Sequence, residues 1–202
     1  IKFWFNMKNL EKHIPKKSVH LITNWIKELE VIVKISKNRT SKLGDFRVLK
    51  NGEIEISINQ DLNKYAFFIT LTHEIAHAFV WLKHKESVKP HGKEWKSTYK
   101  KLMLNFLNQE IFPDDILKAL SKHLINPKAS TSTDLELHLA LKKYDYNKKL
   151  IIADILDGET FSIHNGKKFV KLHKIRKRYK CMEVESARIY LFNPLTTIEL
   201  TQ

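Results

Sequence analysis

Thr70-Leu71-Thr72-His73-Glu74-Ile75-Ala76-His77-Ala78-Phe79-Val80-Trp81-Leu82 runs into a polar stretch and then into His91-Gly92-Lys93-Glu94-Trp95. Residues 66–82 contain neither Pro nor Gly and predict a helix. On such a helix His73 and His77 lie one turn apart on one face, so two imidazole nitrogens can reach one metal ion. Glu74 projects about 100° round from His73, which puts it beside that ion rather than opposite it. A carboxylate there can hold a water at the metal and take its proton. His-Glu-x-x-His is thus a zinc-site motif with a mechanical reason for each letter. Ala66, Phe67, Phe68, Ile69, Ala76, Ala78, Phe79, Val80 and Leu82 make the helix apolar nearly all round, so it belongs in the interior. Titratable groups on an interior helix need partners, and a metal supplies one. The blander alternative is a helix whose histidines only cap a buried surface.

A zinc site that does chemistry has three protein ligands and an open fourth position. His84 lies two turns past His77, about 10 Å away along the axis, too far to share an ion. His91 follows a break at Lys89-Pro90, where the chain can turn back over the helix, and Gly92 permits a tight approach before the next one. His91 is therefore the expected third ligand, with Glu94 or Glu86 as the alternative. Val80 and Lys83 stand where the longer metzincin pattern wants Gly and His, so that pattern fails.

His-Glu-x-x-His followed by His-Gly-x-x-Trp resembles the SprT-like (Spartan-type) metalloprotease family. Over residues 10–124 the resemblance implies a zincin-like domain with one Zn2+ on His73, His77 and His91, Glu74 as general base, and Trp95 as the aromatic behind the third ligand. It also implies proteolysis of proteins on DNA. Members of the family commonly end in a zinc ribbon with two Cys pairs. This chain has the single cysteine Cys181, so a four-cysteine ribbon is not available.

Lys+Arg number 36 against 22 Asp+Glu, a formal net charge of +14. That excess points to a polyanionic partner, nucleic acid first, against the plainer reading of a solvated basic surface. One cysteine cannot form an internal disulfide, which fits a reducing, cytoplasmic setting. No run of 18 apolar residues exists, so no membrane partner is expected. Ile1 to Asn6 lacks the order of a signal peptide, and Met7 is a candidate start.

Val19, Ile22, Ile26 and Leu29, with Trp25 beside them, predict an amphipathic helix. Strands follow at 31–35, 43–49 and 53–59. Asn51-Gly52 marks a hairpin, and Ile54, Ile56 and Ile58 face the core. The third strand, just before the histidine helix, is the candidate edge for pairing with an extended peptide, unless it lies inside the sheet. Helices are expected at 93–107, 114–124 and 134–143, with Leu135, Leu139 and Leu137 or Leu141 of the last one inward. The small polar run 126–133 is the expected boundary. Short strands at 150–155, 160–164, 168–172, 178–184 and 188–192, with turns at Asp157-Gly158 and Asn165-Gly166, form a small antiparallel module. The fold class is α+β: a zincin-like domain over 7–125 (helix, three-stranded sheet, active-site helix, further helices), a linker and short helix over 126–143, and a basic β module over 144–202.

Lys168, Lys171, Lys174, Arg176, Arg178 and Lys180 crowd one hairpin, with Phe169, His173 and Tyr179 among them. Cations suit phosphates and rings suit bases, so these are the candidate nucleic-acid contacts. The leading function is a zinc metalloendopeptidase acting on protein or peptide, with DNA-associated proteins as candidate substrates. The alternative is a nucleic-acid-binding protein with a structural or inactive zinc site. A zinc hydrolase acting on a non-peptide bond ranks below both.

Overall fold

A computed structural model of the chain describes residues 9–39, 41–129, 134–147 and 149–201. The start at 1–6, Met7, and residues 130–133 of the expected linker lie outside the described residues. Two compact units form, residues 1–146 and 147–202.

The first unit is built on a 21-residue helix, α2 (Lys64–His84), preceded by α1 (Val19–Glu28) and strands β1 (Ile32–Ser36), β2 (Gly44–Val48) and β3 (Ile54–Asn59). It is followed by α3 (Lys93–Leu104), α4 (Asp114–Ile125) and α5 (Leu135–Lys142). Asn63 starts α2: its side chain accepts from the N–H groups of Tyr65 and Ala66, supplying partners that the first turn lacks. The same side chain donates to Leu141 O at 3.0 Å and to Asp145, tying α5 to the start of α2. Phe67, Phe68, Ile69, Leu71, Ile75, Ala76 and Ala78 have no exposure, so α2 is interior as its composition dictates. Its buried hydroxyls bond back along the helix, Thr70 to Ala66 O at 2.8 Å and Thr72 to Phe68 O at 3.0 Å, so neither is orphaned. α2 packs against β2 and β3 on one side and α3 on another.

The sheet order is β1-β3-β2, with β1 parallel and β2 antiparallel to β3. Gly52, at φ 85°, closes the β2–β3 hairpin where Asn51-Gly52 predicts it. β3 corrects one expectation. It is the central strand and cannot offer an edge, and all six of its residues are buried. Its second face is roofed by cations: Lys34 and Arg47 both pair with Glu55, while Arg39 donates to Asn59 Oδ1 at 2.8 Å and to Ser57 Oγ at 3.0 Å. Alternation therefore misleads here, because polar residues facing a roof of partners are buried without being orphaned. The edge next to α2 belongs to β2. Asn59 N–H donates to Leu43 O at 2.9 Å and Leu49 N–H to Glu53 O at 2.8 Å. By alternation, the N–H and C=O groups of Gly44, Phe46 and Val48 turn away from β3 toward the free edge.

α5 belongs to the first unit's core, because Leu137, Ala140 and Leu141 are buried there; Leu135 and Leu139 are only half-buried. The division consequently falls after Tyr146 rather than within 126–143. The second unit is a five-stranded sheet in the order β7-β6-β5-β4-β8, made of β4 (Thr160–Ser162), β5 (Lys168–Ile175), β6 (Arg178–Glu183), β7 (Ile189–Phe192) and β8 (Glu199–Leu200). Ile152, Ile155, Phe161, Phe169, Cys181 and Ile198 form its core. Residues 152–154, read from the sequence as part of a strand, make a 3-10 turn, while β8 carries no pattern long enough to be seen. Among the described residues no helix is long and apolar enough to cross a membrane.

Candidate metal centre

His73 and His77 come from α2 and His91 from the turn between α2 and α3. That turn is closed by Gly92 N–H donating to Lys89 O at 2.9 Å, which brings His91 back over α2. The three Nε2 atoms stand 3.1 Å (His73–His91), 3.2 Å (His73–His77) and 3.0 Å (His77–His91) apart. A neutral imidazole has one donor and one acceptor nitrogen, so three converging nitrogens cannot all be satisfied by sharing protons. A tetrahedral ion held at about 2.0–2.1 Å needs nitrogen donors about 3.3 Å apart, and this triangle fits it. Among the described residues these three histidines are the one group placed to hold a metal ion.

The alternative ligands fall elsewhere. Glu94 and His84 line a separate cavity beside Trp25 and Phe79, and Glu86 is exposed at the rim of the histidine cleft. Trp95 is fully buried, with ring centroids 4.4 Å from His73 and 4.7 Å from His91, and it donates from Nε1 to His73 O at 3.4 Å. Tyr99 stacks behind it at 5.0 Å. Truncating a ring buried like Trp95 costs about 3–5 kcal/mol, so it supports the site by packing and is a poor probe of chemistry.

Glu74 is 7% exposed and lines the same cleft as the histidines, a space of about 540 Å³ walled by Gly44, Asp45 and Phe46 of β2. Phe46 lies over His77 with centroids 6.0 Å apart. Burial, with Asp45 adding, pushes the Glu74 carboxyl up to about 8 against the pull of Arg39 and Lys42. Burial pushes His73 down to about 2 and His77 down to about 3, reinforced by the neighbouring rings. The metal-free site therefore presents neutral imidazoles, the form that binds metal.

These shifts have a consequence for stability. His73 and His77 have folded values below 6.5, so the unfolded chain takes up protons that the folded chain refuses. Their contribution is complete above about pH 6.5 and declines as pH falls. Glu74, raised above 4.5, works the opposite way between 4.5 and about 8. In metal-free Glu74→Gln, Tm is therefore expected to drop between about pH 6.5 and about pH 5, above the ordinary carboxylate range. A melt series in chelator checks this, and a level Tm would mean that the rings are not buried neutral.

Residues 8–113 match the family described as SprT-like, more than half of the chain. The chain belongs to the SprT-like family. No curated protein and no solved structure matches it. The match ends before α4, so the last two helices and the second unit of this SprT-like chain lie beyond it.

The hairpin cations divide on the structure. Lys168, Lys174, Arg176 and Arg178 are exposed and Lys180 is half-buried. Lys171 does not belong with them. It is 4% exposed, donates to Ile155 O at 2.6 Å, lies 3.5 Å from Asp157 and sits 4.0 Å over the Tyr179 ring. Phe169 and Lys171 alternate onto one face of β5, Lys171 opposite the buried Cys181, so identical residue types take different roles. Phe169 is also buried and Tyr179 lies under Lys171, which removes both rings from base stacking. Cys181 is buried opposite Lys171, and burial pushes its thiol up to about 11, far from a thiolate ligand. Two contributors to the centre escaped the sequence reading: Gly44, whose signal is a glycine inside a strand, and Asp45, which gives no signal.

Proposed function

We propose that the chain is a zinc-dependent endopeptidase in which Glu74 is the general base. The observation that carries this is the convergence of three ring nitrogens within 3.2 Å in a cleft that also holds a buried carboxyl. A zinc ion bound there supplies a Lewis acid that polarises a peptide carbonyl and makes a nearby water acidic. Glu74 takes the proton of the attacking water and returns it to the leaving amine. Trp95 and Phe46 hold the histidine rings from two sides. The free edge of β2 pairs with an extended peptide through Gly44 and Phe46, which lays the scissile bond along the cleft. Three donors from the chain, with no fourth among the described residues, support a catalytic site over a closed structural one.

The exposed cations of the β5–β6 hairpin support contact with a polyanion, and so substrates carried on DNA. Casein or histone incubated with the protein is expected to be cut, the cutting to stop with chelator, and single-stranded DNA to stimulate it. Tight DNA binding with no cutting at any metal load would favour a nucleic-acid-binding protein with an inactive site instead.

A further inference from the structure

We propose that Gly44 is a positioning residue for Glu74: the missing side chain at this one place on the edge strand lets the carboxyl lie against the β2 backbone beside the histidines. The inference rests on Glu74 acting as the base. Glycine is not required at this position by backbone conformation, since the glycines with positive φ are Gly52, Gly158 and Gly166. The requirement is space, the usual meaning of a glycine within a strand where something approaches closely. A Cβ on Gly44 would stand 2.6 Å from Glu74 Oε1, 2.7 Å from Thr70 Cγ2 and 3.0 Å from Glu74 Cγ.

Thr70 is held in place, and the Glu74 carboxyl can give way only toward the cleft. Thr70 is 7% exposed, and its hydroxyl bond to Ala66 O fixes the rotamer that aims its methyl at Gly44. Glu74 sits one turn further along α2 and is equally buried. With a methyl at position 44, either the carboxyl swings into the cleft or α2 moves off β2. Gly44 also turns its N–H and C=O to the free edge. One residue thus fixes where the base stands and where a paired peptide backbone would run. A displacement of about 1 Å between such partners can cost about 100-fold in rate.

The test is a double-mutant cycle read by two measurements. Gly44→Ala is expected to lower kcat by about 10–100-fold while KM and one metal ion per chain are kept. In chelator, where activity plays no part, and in a Thr70→Ser background that removes the 2.7 Å methyl contact but keeps the hydroxyl, Gly44→Ala is expected to lower Tm by about 5 °C, and the same substitution with Glu74→Ala added by less than half as much. Equal Tm losses in both backgrounds, or an unchanged kcat, would overturn the inference. Wild type and Glu74→Gln in the same assay report on Glu74 itself. A chain that cleaves nothing would sink the peptidase reading, while the melting cycle would still decide whether Gly44 makes room for Glu74.

Discussion

Glu74→Gln is expected to keep one metal ion per chain and to lose casein cleavage by about 10²–10⁴-fold, the range attributable to a positioned proton acceptor. The amide matches the carboxyl in shape, so it fits the space between Gly44 and Thr70 that a larger side chain would not. It also cannot become charged. Since burial already raises the Glu74 carboxyl to about 8 in the metal-free protein, the substitution imitates its neutral form and leaves the fold intact. The three nitrogens that bind metal belong to other residues, so metal content should not change. The loss should fall on kcat, with KM little altered, because the base acts on the attacking water and not on peptide pairing along β2. Cleavage at the wild-type rate with metal bound would remove Glu74 from the mechanism.

The second large effect is on metal binding. His77→Ala is expected to weaken metal affinity by more than about 100-fold, beyond what loss of a supporting contact to a ligand costs. His77 Nε2 lies 3.2 Å from that of His73 and 3.0 Å from that of His91, so its removal opens one side of the triangle. The fold should survive, because the ring is only half-buried and α2 is anchored by its phenylalanines and by Asn63. His84→Ala serves as the control. It is on the same helix but lines the cavity beside Trp25, and competition titration against a chromogenic chelator should find its affinity unchanged. Equal weakening in both variants would indicate that the ion is not held where the three nitrogens meet.

The histidine geometry was legible in the chain because it is local. A four-residue spacing on a helix too apolar to sit at the surface leaves little freedom for His73 and His77, and Pro90-His91-Gly92 marks the turn that returns the third ring. What escaped depends on neighbours distant in sequence. Glu55, Ser57 and Asn59 read as a solvent face, and become buried once β1 and β2 flank β3 and bring Lys34, Arg39 and Arg47 over them. Lys171 reads like the cations around it, yet it stands opposite the buried Cys181 and so turns inward, onto Tyr179. Gly44 and Glu74 lie thirty positions apart, and only the packing of α2 on β2 makes them neighbours. Periodicity reports the face that a residue presents within its own element; it does not report what covers that face.

X-ray absorption at the zinc edge, on protein loaded with one equivalent, bears most directly on the site. Three histidine nitrogens and one non-protein oxygen at about 2.0–2.1 Å are the expected shell. A sulfur shell at about 2.3 Å, or only two imidazoles, would contradict it.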